Sequence, residues 1–161
     1  MRPRYLVPGL LLLLPSTVYL GHLLARELAY YLYHESVSVP GCELIIPKLH
    51  LREPINMVSP DYGVYYDTET PAPGERGVTI LYGHRTLFGS PFRKINELDK
   101  GDVVVVYWFG TRYVYRVYEK RVVAPGIKVD PYSVHRDELW LVTCTPLWTA
   151  SYRLVVKCVR V

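Results

Sequence analysis

Two residues in the C-terminal part of the chain are of types that suit acyl-transfer chemistry. Cys144 follows the apolar run 139–142 and precedes Thr145-Pro146, and Arg153 stands near the start of the next apolar run. A cysteine thiolate is a strong nucleophile, and a guanidinium donates hydrogen bonds in a fixed fork. Because proline has no N–H to give to a sheet ladder, Pro146 predicts that a strand ends just after Cys144. The pattern therefore predicts a thiol at a strand end, where a loop begins and functional groups are often displayed.

A histidine further upstream is the candidate proton-transfer partner of this thiol. His84 lies in Gly83-His84-Arg85, directly after the short apolar run 78–82. Cysteine and histidine form the usual activated pair, and they need only be close in space. Each residue alone also has a structural interpretation, because free cysteines are commonly buried in cores and surface arginines form ion pairs. The joint placement of Cys144, His84 and Arg153 at strand ends favours the catalytic interpretation.

The N-terminal segment predicts a membrane anchor. Residues 5–25 carry no full charge, and about twenty apolar residues span a bilayer. Arg2 and Arg4 precede this run, so the positive-inside rule places the N-terminus in the cytoplasm and the rest of the chain outside, as a single-pass membrane protein. A cleaved signal peptide and a buried helix are the alternatives, and the length of the run without a small-residue cleavage site favours an uncleaved anchor. We therefore predict an anchor and juxtamembrane helix over residues 1–35, a linker over 36–41 and a catalytic domain over 42–161.

The remainder of the chain predicts an all-β domain. Valine and tyrosine are abundant, and short alternating runs are separated by glycine and proline turns. Ser90-Pro91 predicts the start of one short helix that packs Phe92, Ile95 and Leu98. Seven or eight short strands with so little helix favour a closed or nearly closed antiparallel barrel. The clearest predicted strands cover residues 42–46, 78–82, 103–109, 112–123, 139–144 and 152–159.

Charge and cysteine spacing exclude several classes of function. The formal net charge is only +4, with no basic cluster of the kind that nucleic-acid binding requires. Cys42, Cys144 and Cys158 show no zinc-ligand spacing with one another or with histidines, and no acidic cluster indicates a calcium site. We therefore expect no metal ion and no cofactor. A disulfide between Cys42 and Cys158 and a pair of buried free thiols both remain open.

The motifs resemble those of the sortases, the membrane-anchored cysteine transpeptidases of prokaryotic cell surfaces. Leu141-Val-Thr143-Cys144 is similar to the family's T-L-x-T-C signature, Tyr152-Arg153-Leu-Val-Val to its arginine strand, and Gly83-His84-Arg85 to its histidine motif. The three motifs occur in the family's order. The resemblance extends from about residue 44 to residue 161 and implies an eight-stranded sortase barrel with one or two short helices.

The resemblance also implies a role for each residue. Cys144 would attack the threonine carbonyl of a C-terminal sorting signal of the L-P-x-T-G or L-A-x-T-G kind, which forms a thioacyl-enzyme. His84 would protonate the leaving glycine amine and later deprotonate the incoming nucleophile, and Arg153 would hold the tetrahedral oxyanion or the substrate carbonyl. Thr143, Arg85 and Thr145 are the implied substrate-binding residues. An amine acceptor on the cell envelope or on a pilin would then take the surface protein that carries the signal.

Subclass and acceptor are less sharply defined by the motifs. Residues 83–92 resemble class E sortases, whereas Cys144-Thr145-Pro146 also resembles the pilin-polymerising class C. Class C members usually carry an N-terminal lid, and the short 36–41 linker favours class E or D. A hydrolytic sortase-like cysteine protease is the main alternative. A non-catalytic surface binding module is disfavoured because Cys144, His84 and Arg153 are all present.

Overall fold

The computed structural model describes residues 6–126 and 129–161, with side chains from residue 15 onward. One long helix, α1 (Leu6–Tyr33), precedes eight strands. Short 3₁₀ turns occupy Pro47–Leu49, Pro60–Tyr62 and Ile95–Glu97. The strands are β1 (Ser38–Ile46), β2 (Leu51–Asn56), β3 (Val64–Tyr66), β4 (Gly77–Tyr82), β5 (Val103–Trp108), β6 (Thr111–Val123), β7 (Asp137–Thr145) and β8 (Tyr152–Arg160).

The eight strands close into a barrel in the order β1-β2-β3-β4-β7-β8-β6-β5. This confirms the eight-stranded all-β barrel but corrects its description as antiparallel. β2 pairs with β3 in parallel, and β4 pairs with β7 in parallel. Alternation of apolar residues reveals a strand but not its direction, because both kinds of ladder have the same two-residue period. The chain reaches the parallel partner of β4 only after the β5–β6 hairpin, whose two strands match those predicted at 103–109 and 112–123.

The wall formed by β4, β7 and β8 is buried on both faces. The barrel interior contains one face of β7 and β8, with Leu139, Leu141, Leu154 and Val156 in the main core. The alternate residues form a second apolar cluster on the outer face, composed of Val78, Ile80, Val142 and Val155. Both clusters follow from the period-2 alternation of strand side chains.

The segment predicted as a helix over residues 90–98 is instead a series of tight turns. Successive amides donate to carbonyls three residues earlier, as in Arg93 to Ser90 and Ile95 to Phe92, and only Ile95–Glu97 forms a 3₁₀ turn. The predicted apolar residues Phe92, Ile95 and Leu98 are nevertheless fully buried. Their spacing of three explains the difference, because side chains three residues apart eclipse in a 3₁₀ turn and drift around an α-helix.

Two further predictions concern the segment that precedes the barrel and the start of its first strand. β1 begins at Ser38, inside the predicted 36–41 linker and before the predicted strand start at Cys42. The predicted anchor over residues 1–35 lies partly outside the described residues. No helix among the described residues is long and apolar enough to cross a membrane. Membrane anchoring therefore stays a prediction.

All three cysteines are free. The thiols of Cys42 and Cys158 are buried in the core, and the thiol of Cys144 is half-buried. Burial raises the pKa of both core thiols. Cys42 and Cys158 therefore behave as small core residues, and only Cys144 is available for chemistry.

Glu53 on β2 faces the C-terminal end of α1 without a full partner. Its side chain is 23% exposed, and Nε2 of His34 lies 3.6 Å from Oε2. That distance is too long for a hydrogen bond, and Oε2 has no other partner among the described residues. Burial raises the pKa of Glu53 above its ordinary value of 4.5, against a smaller opposing effect of His34.

We expect Glu53→Gln to stabilise the fold at neutral pH. Because the folded state holds the Glu53 proton more tightly than the unfolded state, the free energy of unfolding falls as pH rises above 4.5 through the raised pKa. Glu53→Gln should remove that loss and raise the free energy of unfolding at pH 7 by about 1 kcal/mol, with the gain vanishing in acid. Urea unfolding of the wild type and the variant at several pH values measures this difference in the free energy of unfolding. Glu43→Gln, which removes a carboxylate already paired with Arg52 at 2.6 Å, is the control that should give no gain. A lower free energy of unfolding for Glu53→Gln at pH 7 would contradict this interpretation.

Candidate active site

The parallel β4–β7 pair brings two chain segments to the same edge of the barrel. Tyr82 pairs with Val142, and the amide of Gly83 donates to the Val142 carbonyl at 3.3 Å. The Thr143 hydroxyl donates to the Gly83 carbonyl at 2.6 Å. His84 and Cys144 are the next residues after Gly83 and Thr143. The structure thus brings together the predicted base and the predicted nucleophile at neighbouring strand ends.

Arg153 lies directly across from Cys144 in the antiparallel β7–β8 pair. Directly opposed residues of such a pair project to the same face with Cβ atoms about 5 Å apart. Val142 and Val155, the next residues on that face, belong to the outer apolar cluster. The Cys144 thiol and the Arg153 guanidinium therefore both belong to the outer wall.

The Arg153 side chain is held by its own loop. Its Nη1 donates to the carbonyls of Ala150 at 3.0 Å and Tyr152 at 3.1 Å. A guanidinium has five N–H donors, so these bonds occupy Nη1 and leave the donors on Nε and Nη2. Arg153 also lies close enough to Tyr82 to lower its pKa, although burial of Tyr82 has the larger effect and raises it.

His84 has a carboxylate partner that the sequence did not predict. Its Nε2 lies 3.0 Å from Oδ1 of Asp61, and its ring packs against Phe88 with centroids 4.9 Å apart. The imidazole is 31% exposed, so solvent and substrate can reach it. Asp61 lies in the Pro60–Tyr62 turn, where Ser59 caps the amide of Asp61. An aspartate in a capped turn is common, so no sequence signal singled it out.

Arg85, predicted to bind substrate, is buried beneath the site. It is 6% exposed, and Nη2 donates to Oδ1 of Asn96 at 2.7 Å. Its Nη1 lies 3.3 Å from the Thr145 hydroxyl and 3.5 Å from the Cys144 carbonyl. Burial lowers the pKa of Arg85, and negative charge on Cys144 acts in the opposite direction. We therefore assign Arg85 to holding the end of β7 rather than to substrate contact.

The other two predicted substrate-binding residues flank the nucleophile. Thr143 is 3% exposed, and its hydroxyl is bonded to Gly83, so its side chain supports the β4–β7 junction from inside the wall. Thr145 is half-buried and accepts from Arg85. A substrate-binding role for Thr145 stays a prediction.

A groove of about 560 Å³ runs along the outer wall and includes Arg153 in its lining. Its floor includes Ile80, Val142 and Val155 of the outer apolar cluster. Acidic side chains from the loop after β3, Asp67 and Glu69, line it as well. The basic residues Arg121 and Lys157 line it too. An apolar floor with polar groups around it is typical of a binding site for a peptide or a small ligand.

The described residues contain no group of three or more histidine, cysteine, aspartate or glutamate side chains that could hold a metal ion.

The predicted nucleophile Cys144, the predicted acid–base residue His84 and the predicted oxyanion donor Arg153 thus lie at strand ends on one edge of the barrel. Comparison with known proteins gives the family. The family model described as the sortase domain matches residues 38–161. The chain belongs to the sortase family, whose members are cysteine transpeptidases.

Individual relatives are similar over parts of the chain. Sortase SrtE1 of Streptomyces coelicolor is 34% identical over 85 residues, which cover 47% of this chain and 24% of that protein. The chain thus matches about a quarter of the length of that relative. The solved structure of S. coelicolor sortase E1 with a tripeptide in the active site has a TM-score of 0.63 and 30% identity, over 77% of this chain and 91% of that one. Clostridium perfringens sortase C with the C-terminal cell wall sorting motif has a TM-score of 0.66 and 29% identity, over 74% of this chain and 69% of that one.

We expect Thr143→Val to weaken the β4–β7 junction. Valine keeps the shape of threonine but leaves the Gly83 carbonyl without this donor, at a cost of about 1–3 kcal/mol. The free energy of unfolding in urea measures it. Thr143→Ser is the matched control, because it keeps the hydroxyl and should lose less. Equal stability of the valine and serine variants would contradict a role for this hydrogen bond.

Proposed function

We propose that this chain is a transpeptidase that cuts a C-terminal sorting signal between threonine and glycine and transfers the surface protein to an amine. The observation that carries the proposal is the cross-strand pairing of Cys144 with Arg153 on the outer wall, with His84 at the adjoining strand end. The similarity to a sortase solved with a cell wall sorting motif supports a substrate of this kind.

In the first step the Cys144 thiolate attacks the threonine carbonyl carbon. A C–S bond forms, and the carbonyl oxygen becomes an oxyanion. Donors on the Arg153 guanidinium stabilise that oxyanion, which is the usual role of a preorganised cation or N–H group in acyl transfer. The C–N bond then breaks as protonated His84 gives its proton to the leaving glycine amine.

In the second step the acceptor amine attacks the thioester carbonyl. His84 removes the proton of this amine, the C–S bond breaks, and a new amide bond forms while the Cys144 thiolate returns. The same residues can use water as acceptor, which would give hydrolysis.

For the subclass and the location of the protein we propose what the sequence predicted. The similarity to sortase SrtE1 supports a class E-like enzyme with L-A-x-T-G or L-P-x-T-G signals, ahead of a pilin-polymerising class C enzyme. We propose that residues 1–35 anchor the protein with its N-terminus in the cytoplasm and its barrel outside the membrane.

We expect Cys144→Ala to abolish cleavage of fluorogenic L-A-x-T-G and L-P-x-T-G peptides, because no other described thiol is outside the core. Cys42→Ala is the matched control: it removes a buried thiol and should keep kcat if the protein folds. Adding triglycine to the wild type then separates transfer from hydrolysis by product mass. Cleavage that persists in Cys144→Ala would contradict the proposal.

We expect Arg153→Ala to lower kcat by about 100- to 1000-fold, the usual loss for one oxyanion donor. Arg153→Lys should restore little, because an ammonium cannot hold the Ala150 and Tyr152 carbonyls and also present a fork. Steady-state kinetics with the same peptide measure both variants. The control Arg116→Ala removes an exposed arginine of β6 outside the groove and should leave kcat unchanged. A wild-type kcat in Arg153→Ala would overturn the assignment.

A further inference from the structure

The C-terminal half of α1 docks on the loop that follows His84. Oε1 of Glu27 accepts from the Phe88 amide at 2.6 Å. Tyr30 is 5% exposed and packs against Gly89, where an added Cβ would lie 2.2 Å from the Tyr30 ring. Gly89 also has a positive φ of +71°, so only glycine suits both the backbone and the contact. The helix and this loop are therefore fitted to each other.

One helix residue contacts both groups that touch the His84 ring. The Arg26 guanidinium lies over the Phe88 ring at 4.5 Å, and its Nη2 donates to Oδ2 of Asp61 at 2.9 Å. The other oxygen of Asp61 is the partner of His84 Nε2, and the Phe88 ring is the packing partner of the imidazole. Arg26 thus contacts both Asp61 and Phe88, the two residues that contact the His84 ring.

The contact with Asp61 determines which imidazole nitrogen is available for proton transfer. An ionised carboxylate only accepts hydrogen bonds, so Nε2 of His84 carries the hydrogen. In neutral imidazole the other nitrogen, Nδ1, is then the acceptor that can take a proton from the attacking amine. Without Asp61, neither the tautomer of His84 nor the orientation of its ring would be fixed.

We propose that α1 forms part of the active site, with Asp61 as the positioning residue of His84 and Arg26 as the residue that orients Asp61. The inference rests on the proposed function for the role of His84 in proton transfer. The helix ahead of the barrel then contributes to turnover through an ion pair and a ring contact, in addition to any role in anchoring.

Peptide-cleavage kinetics of the full-length chain test the proposal. Asp61→Asn should lower kcat by about 10- to 100-fold with KM unchanged, a part of the 10²–10⁴-fold that a positioned acid–base group provides. Arg26→Gln removes an exposed ion pair and should lower kcat by about two- to five-fold. Arg26→Lys should recover part of that loss because it keeps a donor for Asp61. In the double variant, Arg26→Gln should add much less than it does alone, because the larger part of its effect passes through Asp61 and only the Phe88 contact remains.

Arg52→Gln is the matched control, because it also breaks a surface arginine–carboxylate pair but lies on β2 outside the site. It should leave kcat and KM at wild-type values. A wild-type kcat in Asp61→Asn would overturn the proposal. The proposal would also be overturned if the loss in kcat of the double variant equalled the product of the losses of Arg26→Gln and Asp61→Asn. Such independent effects would indicate a general loss of stability.

A second readout needs no substrate. In the full-length protein with ¹⁵N-labelled histidine, the Nε2–H of His84, assigned by its absence in His84→Ala, should show the downfield proton shift of a hydrogen bond to carboxylate. Asp61→Asn should remove that shift, Arg26→Gln should reduce it, and Arg52→Gln should leave it. An unchanged His84 signal in Asp61→Asn would refute the contact whether or not the peptide is cleaved. A wild-type chain that cleaves no sorting peptide but shows these shifts would instead refute only the proposed function.

Discussion

The parallel pairing of β4 with β7 brings the strand ends next to the proposed acid–base residue, His84, and the proposed nucleophile, Cys144, to one edge of the barrel. Parallel strands end at the same edge of a sheet, so residues that follow one strand lie beside residues that follow the other. The Thr143–Gly83 hydrogen bond extends this pairing to the residues directly before Cys144 and His84. Antiparallel β8 then adds Arg153 across from Cys144. Two ladders of opposite direction thus bring His84 to the edge of the barrel where Cys144 and Arg153 of the C-terminal strand pair lie.

Burial on both sides makes this wall rigid where the chemistry needs precision. The core cluster lies beneath β7 and β8, and the outer cluster with Val142 and Val155 lies above them. Arg85, held by Asn96 and the Arg93 carbonyl, supports the end of β7 from below. A thiol at the end of a strand in such a wall has a well-defined position. The half-buried state of Cys144, in contrast to the buried Cys42 and Cys158, follows from its place at the end of the strand.

The sequence predicted what depends on local pattern and missed what depends on strand direction and on distant contacts. The number of strands and the positions of Cys144 and Arg153 near strand ends followed from the alternation of apolar residues and from the prolines that end strands. The same alternation could have shown that Thr143 points away from the face of Cys144, since neighbours in a strand face opposite sides. The turns at 90–98 could also have been expected from the three-residue spacing of Phe92, Ile95 and Leu98. Asp61 could not, because its link to His84 depends on how a short capped turn and α1 meet the barrel.

The central claim is that Cys144 is the nucleophile of this outer wall, and the thioacyl-enzyme tests it most directly. The full-length chain is mixed with a sorting-signal peptide without an added amine, quenched in acid, and examined by intact mass and peptide mapping. We predict an adduct on Cys144 with the mass of the part of the peptide before the scissile bond. Cleavage of the peptide with no adduct at Cys144, or with an adduct on Cys42 or Cys158, would contradict it.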